Sequence, residues 1–122
     1  MIALQSLRSR IAGLCLVLWL SSCSSGAAPS HPLNEDLARE SLQKAMQSWV
    51  DGKAPKDLRP DIVVGDPAWE QGRKLVSFEI LAGEETTDGS NLHIPVKRKL
   101  DASESTVTYI VGTSPVVTIF PQ

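Results

Sequence analysis

The apolar residues of this chain change their spacing once, near Asp57, and that change dictates the fold class. Before it, Ala38, Leu42, Ala45, Met46 and Trp49 recur every three or four residues. That spacing lines side chains along one face of a helix. Asn34 stands where an N-cap oxygen is wanted, and Glu35 and Asp36 suit the positive end of the helix dipole. Gly52 supplies the stop. The sequence therefore predicts one amphipathic helix over about 35–51, with Glu40 and Lys44 as a favourable pair on its wet side.

After Asp57 the period is two. Residues 61–64 read as a short strand. Residues 65–72 read as a loop holding one helical turn, capped by Asp66, opened by Pro67 and closed by Gly72. Residues 74–82 form a strong strand pattern, with Val76, Phe78, Ile80 and Ala82 on one face. Asp88-Gly89 is a hairpin signal before residues 91–100, where Leu92, Ile94 and Val96 point one way and His93, Pro95, Lys97 and Lys99 the other. Val107, Tyr109 and Val111 share a face of 106–112. Gly112-Thr113-Ser114-Pro115 then bends the chain ahead of β-prone 116–120, leaving open one bulged strand or two. One helix followed by a meander is an α+β domain: an N-terminal helix packed on a curved antiparallel sheet of about four strands.

The first residues read differently. Arg8 and Arg10 precede an apolar run from Ile11 to Leu20, the layout of a secretory signal. At ten residues this run falls short of the roughly 20 needed to span a bilayer. Leu20-Ser21-Ser22-Cys23 closes the run, and it resembles the lipobox of bacterial lipoproteins. The resemblance implies a signal peptide over 1–22 and acyl chains on Cys23. It also implies localisation in the cell envelope, with the membrane as a partner through the lipid. Ser24 is similar to the residue found in outer-membrane lipoproteins, which implies the outer membrane, facing the periplasm, rather than the inner. Residues 23–33 are the lipidated cysteine and a Ser/Ala/Gly/Pro tether that includes His31. Residues 34–122 are a single domain.

Charge and cysteine usage exclude several classes. Without Arg8 and Arg10, ten basic residues face 14 acidic ones, which argues against a nucleic-acid partner. Lys97-Arg98-Lys99 is the one basic run, read as a solvated strand end. If Cys15 leaves with the signal and Cys23 carries lipid, as the resemblance implies, no thiol remains for a disulfide, a metal site or a nucleophile.

Little in the domain points to chemistry. The strand alignment that pairs Ile80 with Ile94 and Phe78 with Val96 puts Glu79 diagonal to His93, a polar pair fit for acid–base work or for a solvated cross-strand contact. Glu84, Glu85 and Asp88 crowd one loop, but their spacing matches no calcium loop, and no metal is expected. No Gly-x-Ser-x-Gly elbow or Gly-rich phosphate loop occurs. Asp66, Pro67 and Trp69 make the most unusual loop, fit to anchor a partner or to fold back as a lid on the core.

The order of elements over 34–120 resembles the cystatin-like superfold, which includes the nuclear transport factor-like cone. Pro67-Ala68-Trp69 is similar to the cystatin Pro-Trp loop. The Gln-x-Val-x-Gly hairpin of cystatins has no match at Ile80-Leu81-Ala82-Gly83 or Tyr109-Ile110-Val111-Gly112, so inhibition of cysteine proteases is not implied. The expectation is a lipid-anchored interaction module for another envelope protein, without enzymatic activity or cofactor. The alternative is a small apolar ligand, or cone-type catalysis, in a cavity between Met46, Trp49, Phe78 and Tyr109.

Overall fold

A computed structural model describes residues 32–122. The segment read as a secretory signal, Cys23, Ser24 and His31 lie outside the described residues. The chain forms a long helix and a strongly curled, mostly antiparallel sheet, an α+β half-barrel.

Helix α1 spans Glu35–Val50, and the Asn34 side chain accepts from the backbone N–H of Leu37, as the capping pattern predicts. Its buried face carries Ala38, Leu42, Ala45, Met46 and Trp49, with Ser41 and Ser48 beside them. A short 3-10 turn, Pro55–Leu58, leads to β1 (Ile62–Val64). Helix α2 is the single turn Pro67–Glu70. Strand β2 covers Leu75–Ile80, β3 Thr86–Thr87, β4 Asn91–Leu100, β5 Ser103–Gly112 and β6 Val117–Pro121.

The strand order is β1-β6-β5-β4-β2, and β3 pairs with the start of β4. The sheet thus has six strands rather than about four. β5 and β6 are separate antiparallel strands, because the chain turns back between Gly112 and Val117. β1 joins the far edge in parallel to β6, with Ile62 opposite Val117 and Val64 opposite Ile119. A meander reading misses this pairing, since it needs a strand from before the meander to meet its last strand.

Two details of β2 also differ from the sequence pattern. Val76 is half exposed instead of facing the helix. The register shifts between Leu75 and Ser77, so Val76 is the extra residue of a bulge and Leu75 takes the core position. Beyond the bulge, Phe78 lies opposite Arg98 and Ile80 opposite Val96, two residues along β4 from the expected alignment. The cause is β3. The Asp88-Gly89 hairpin joins β3 to β4, with Thr86 opposite His93 and Thr87 opposite Leu92, so that stretch of the β4 edge is occupied and β2 pairs farther along. A slip of two residues preserves the faces of both strands.

The core lies between α1 and the concave face of the sheet. Leu92, Ile94, Val96, Leu100, Tyr109, Val111, Val117 and Ile119 meet the α1 stripe there.

Candidate functional site

Both helices end with the same device. Trp49-Val50-Asp51-Gly52-Lys53 and Trp69-Glu70-Gln71-Gly72-Arg73 share the pattern Trp-x-x-Gly-basic. Gly52 and Gly72 adopt φ of 88° and 85°, the left-handed region that favours glycine. The N–H of Gly52 bonds the Trp49 carbonyl, and that of Lys53 bonds Ser48. Gly72 bonds Trp69 and Arg73 bonds Ala68 in the same way. These are two Schellman closures, each with a tryptophan at the same place in its last turn.

The two tryptophans face each other. Their rings stack with centroids 5.1 Å apart and planes 5° from parallel. Trp49 Nε1 donates to the Arg73 carbonyl at 2.7 Å, and Trp69 Nε1 donates to the Lys53 carbonyl at 2.7 Å. Each indole therefore binds the residue that follows the other's glycine. The exchange clamps the end of α1 to α2 and buries both rings almost wholly.

Beneath this clamp sits a polar cluster inside the core. Asp66 caps α2, its Oδ1 accepting from the Ala68 N–H at 3.0 Å. Its Oδ2 accepts from Arg98 Nη1 at 3.0 Å and from the Tyr109 hydroxyl. Arg98 Nη1 also donates to the Tyr109 hydroxyl oxygen at 2.7 Å, and the guanidinium carbon stands 5.7 Å from the Trp49 ring centre. Burial pushes the Tyr109 hydroxyl above the ordinary tyrosine range, and the Asp66 carboxylate reinforces this while Arg98 opposes it. Tyr109 thus stays protonated and donates to the carboxylate. Asp66 is only 1 % exposed, so the cluster fastens the 65–72 loop to the sheet and presents no reactive group to solvent.

Outside the clamp lies an open groove of about 380 Å³. It is lined by Trp49, Trp69, Ala54 and Pro55, of which Ala54 is the most accessible, and its rim carries the exposed Lys53, Arg73, Lys74 and Glu70. A second hollow of about 320 Å³ shares Ala54, Pro55 and Glu70 and adds Lys56 and Arg59. The two form one continuous basic surface at the C-terminal end of α1.

The residues singled out from the sequence separate into distinct places. Of the Asp66, Pro67 and Trp69 loop, Asp66 and Trp69 fold back into the core, Pro67 is exposed, and an edge of Trp69 reaches the groove. The Glu79–His93 pair does not form. Glu79 lies opposite Lys97, with 3.9 Å between its Oε1 and the lysine Nζ. His93 Nε2 lies 2.9 Å from Asp88 Oδ2. The displaced β2 register removes the diagonal that the pair required. Glu85 is taken by Arg39, so the acidic loop is split between two partners. Among the described residues no group of three potential metal ligands occurs, and no helix is long and apolar enough to cross a membrane.

Arg98 is a correction of a different kind. Read as part of a solvated basic run, it turns inward with its side chain 12 % exposed. Its position has the same parity as Leu92, Ile94, Val96 and Leu100, and that parity was the available signal. The repeated Trp-x-x-Gly-basic pattern was the signal for the clamp.

Comparison with protein families, with curated proteins and with solved structures found no match.

Proposed function

We propose that this protein is a lipid-anchored component of a bacterial envelope, held through Cys23, and that its domain is a non-enzymatic interaction module. The observation that carries this reading is the placement of polar chemistry. The titratable cluster of Asp66, Arg98 and Tyr109 is sealed in the core, while the groove beside the paired tryptophans is open and has a basic rim. Helix α1 against a curled sheet supports a cystatin-like architecture, here extended by the parallel β1 edge. The ligand-carrier alternative lacks support, because Arg98 and Tyr109 occupy the helix–sheet interior that an apolar ligand would need.

Two measurements test the reading separately. Labelling with a radioactive fatty acid should mark the native protein and not Cys23→Ser; equal label on both would overturn the anchor. Cross-linking in intact cells should yield a reproducible larger species containing this protein. Recovery of the monomer alone across conditions would overturn the module.

A further inference from the structure

We infer that the groove beside Trp49 and Trp69 binds an extended peptide segment that alternates acidic and apolar side chains, supplied by another protein. This deepens the interaction-module reading and rests on it for the partner's setting.

The first argument is the distribution of charge. Of the chain's 12 Lys and Arg, Arg8 and Arg10 precede the described segment. Five of the remaining ten, Lys53, Lys56, Arg59, Arg73 and Lys74, line the two joined hollows. Of the 14 acidic residues only Glu70 does so. An acidic domain has therefore gathered half of its described cations at one end. All five are exposed, and among the described residues only Arg73 has a carboxylate partner close by, Asp101 at 3.3 Å. Such a concentration of one sign favours a ligand of the other.

The second argument is the floor. Ala54, Pro55, Trp49 and Trp69 line it, Ala54 being the most accessible, and the exchanged hydrogen bonds and Schellman turns hold the two indoles in place. A pre-formed apolar floor under a cationic rim suits a ligand with both characters and lowers the ordering cost of binding. An extended peptide presents side chains alternately to floor and rim.

The third argument is the distance between the groove and the point where the chain enters the domain. Helix α1 has 16 residues and is about 24 Å long at 1.5 Å per residue. The chain enters the domain at the Asn34 end, and the groove lies at the Lys53 end. The entry of the chain and the groove thus lie at opposite ends of α1.

The test uses the protein as the cell makes it, purified in a nonionic detergent, with a fluorescent octapeptide alternating Glu and Leu. Saturable binding should weaken as salt is raised. Lys53→Glu with Lys74→Glu should weaken it at least tenfold, while Lys97→Glu with Lys99→Glu should leave it unchanged. Both pairs are exposed, and unchanged thermal melting will establish that the fold is intact. Replacing Glu by Gln in the peptide should abolish binding. Absence of binding, or equal loss with both lysine pairs, would overturn the proposal. Stronger binding to vesicles of anionic lipid, lost with Lys53→Glu and Lys74→Glu, would also overturn it in favour of a membrane surface. None of these outcomes depends on acylation of Cys23, so failure here is distinguishable from failure of the anchor.

Discussion

Arg98 on β4 reaches Asp66 at the start of α2, with Nη1 3.0 Å from Oδ2, and both side chains lie in the core. A buried ion pair is a poor source of net stability, since desolvation offsets the attraction. What it does well is penalise disruption. Asp66→Ala removes the α2 cap and leaves a buried cation, so it should cost about 3–5 kcal/mol. Replacing both residues, as Asp66→Asn with Arg98→Met, should cost less than Asp66→Ala alone, because no uncompensated charge remains. Urea denaturation of these variants, with each single change included, checks both statements.

The exchanged tryptophan bonds predict symmetry of a measurable kind. Trp49→Phe leaves the Arg73 carbonyl without its donor, and Trp69→Phe does the same to Lys53. Each should cost about 0.5–1.5 kcal/mol, the range for one lost hydrogen bond, because Arg73 and Lys53 are exposed and water reaches the freed carbonyl. The double variant should cost less than the two together, because either change already loosens the clamp that both bonds make. A double-mutant cycle by chemical denaturation measures this coupling.

Much of the fold was legible because hydrophobic period and capping chemistry are local. Asn34, the Ala38-to-Trp49 stripe and Gly52 define α1 without reference to anything distant. The inward parity of Leu92, Ile94 and Val96 holds under any register that keeps the faces. What escaped the sequence depends on distant partners. The Val76 bulge, the parallel β1–β6 pairing and the β2 slip are choices among strand pairings of similar pattern. The site divides the same way. Trp69 as a lid follows from the need for apolar area, whereas Arg98 as the partner of Asp66 and Tyr109 requires knowing that β4 passes beneath α2.

Asp88 supplies a pH dependence. Its carboxylate is held well below the ordinary aspartate range, first by His93 and then by the N–H groups of Ser90 and Asn91. A carboxylate depressed on folding stabilises the folded state above its unfolded pKa, about 3.9, and loses that contribution as pH falls toward its folded value. The β3–β4 hairpin should therefore keep its turn at pH 5 and loosen below about pH 4. Titration of the Asp88 side chain by NMR should place its midpoint below that of a free aspartate. Protection of the Ser90 and Asn91 amides, measured relative to their intrinsic exchange rate, should fall over the same acid range, and Asp88→Ala should remove that dependence.

Phe120 lies on the outer face of β6, and its ring covers Gly65, whose N–H bonds the Ile119 carbonyl at 3.0 Å. Gly65 does not adopt a left-handed φ, so its lack of a side chain answers to space rather than to backbone conformation. A methyl group there would overlap the ring. Gly65→Ala should thus destabilise by about 1–3 kcal/mol, as overpacking does, unless the ring swings outward. The two cases separate in the Phe120→Ala background. With the ring gone, Gly65→Ala should become neutral or slightly stabilising, since alanine restricts the unfolded chain. Denaturation of the four species measures the coupling. A cost for Gly65→Ala that persists without Phe120 would mean that the glycine serves the β1–α2 turn itself and not the ring above it.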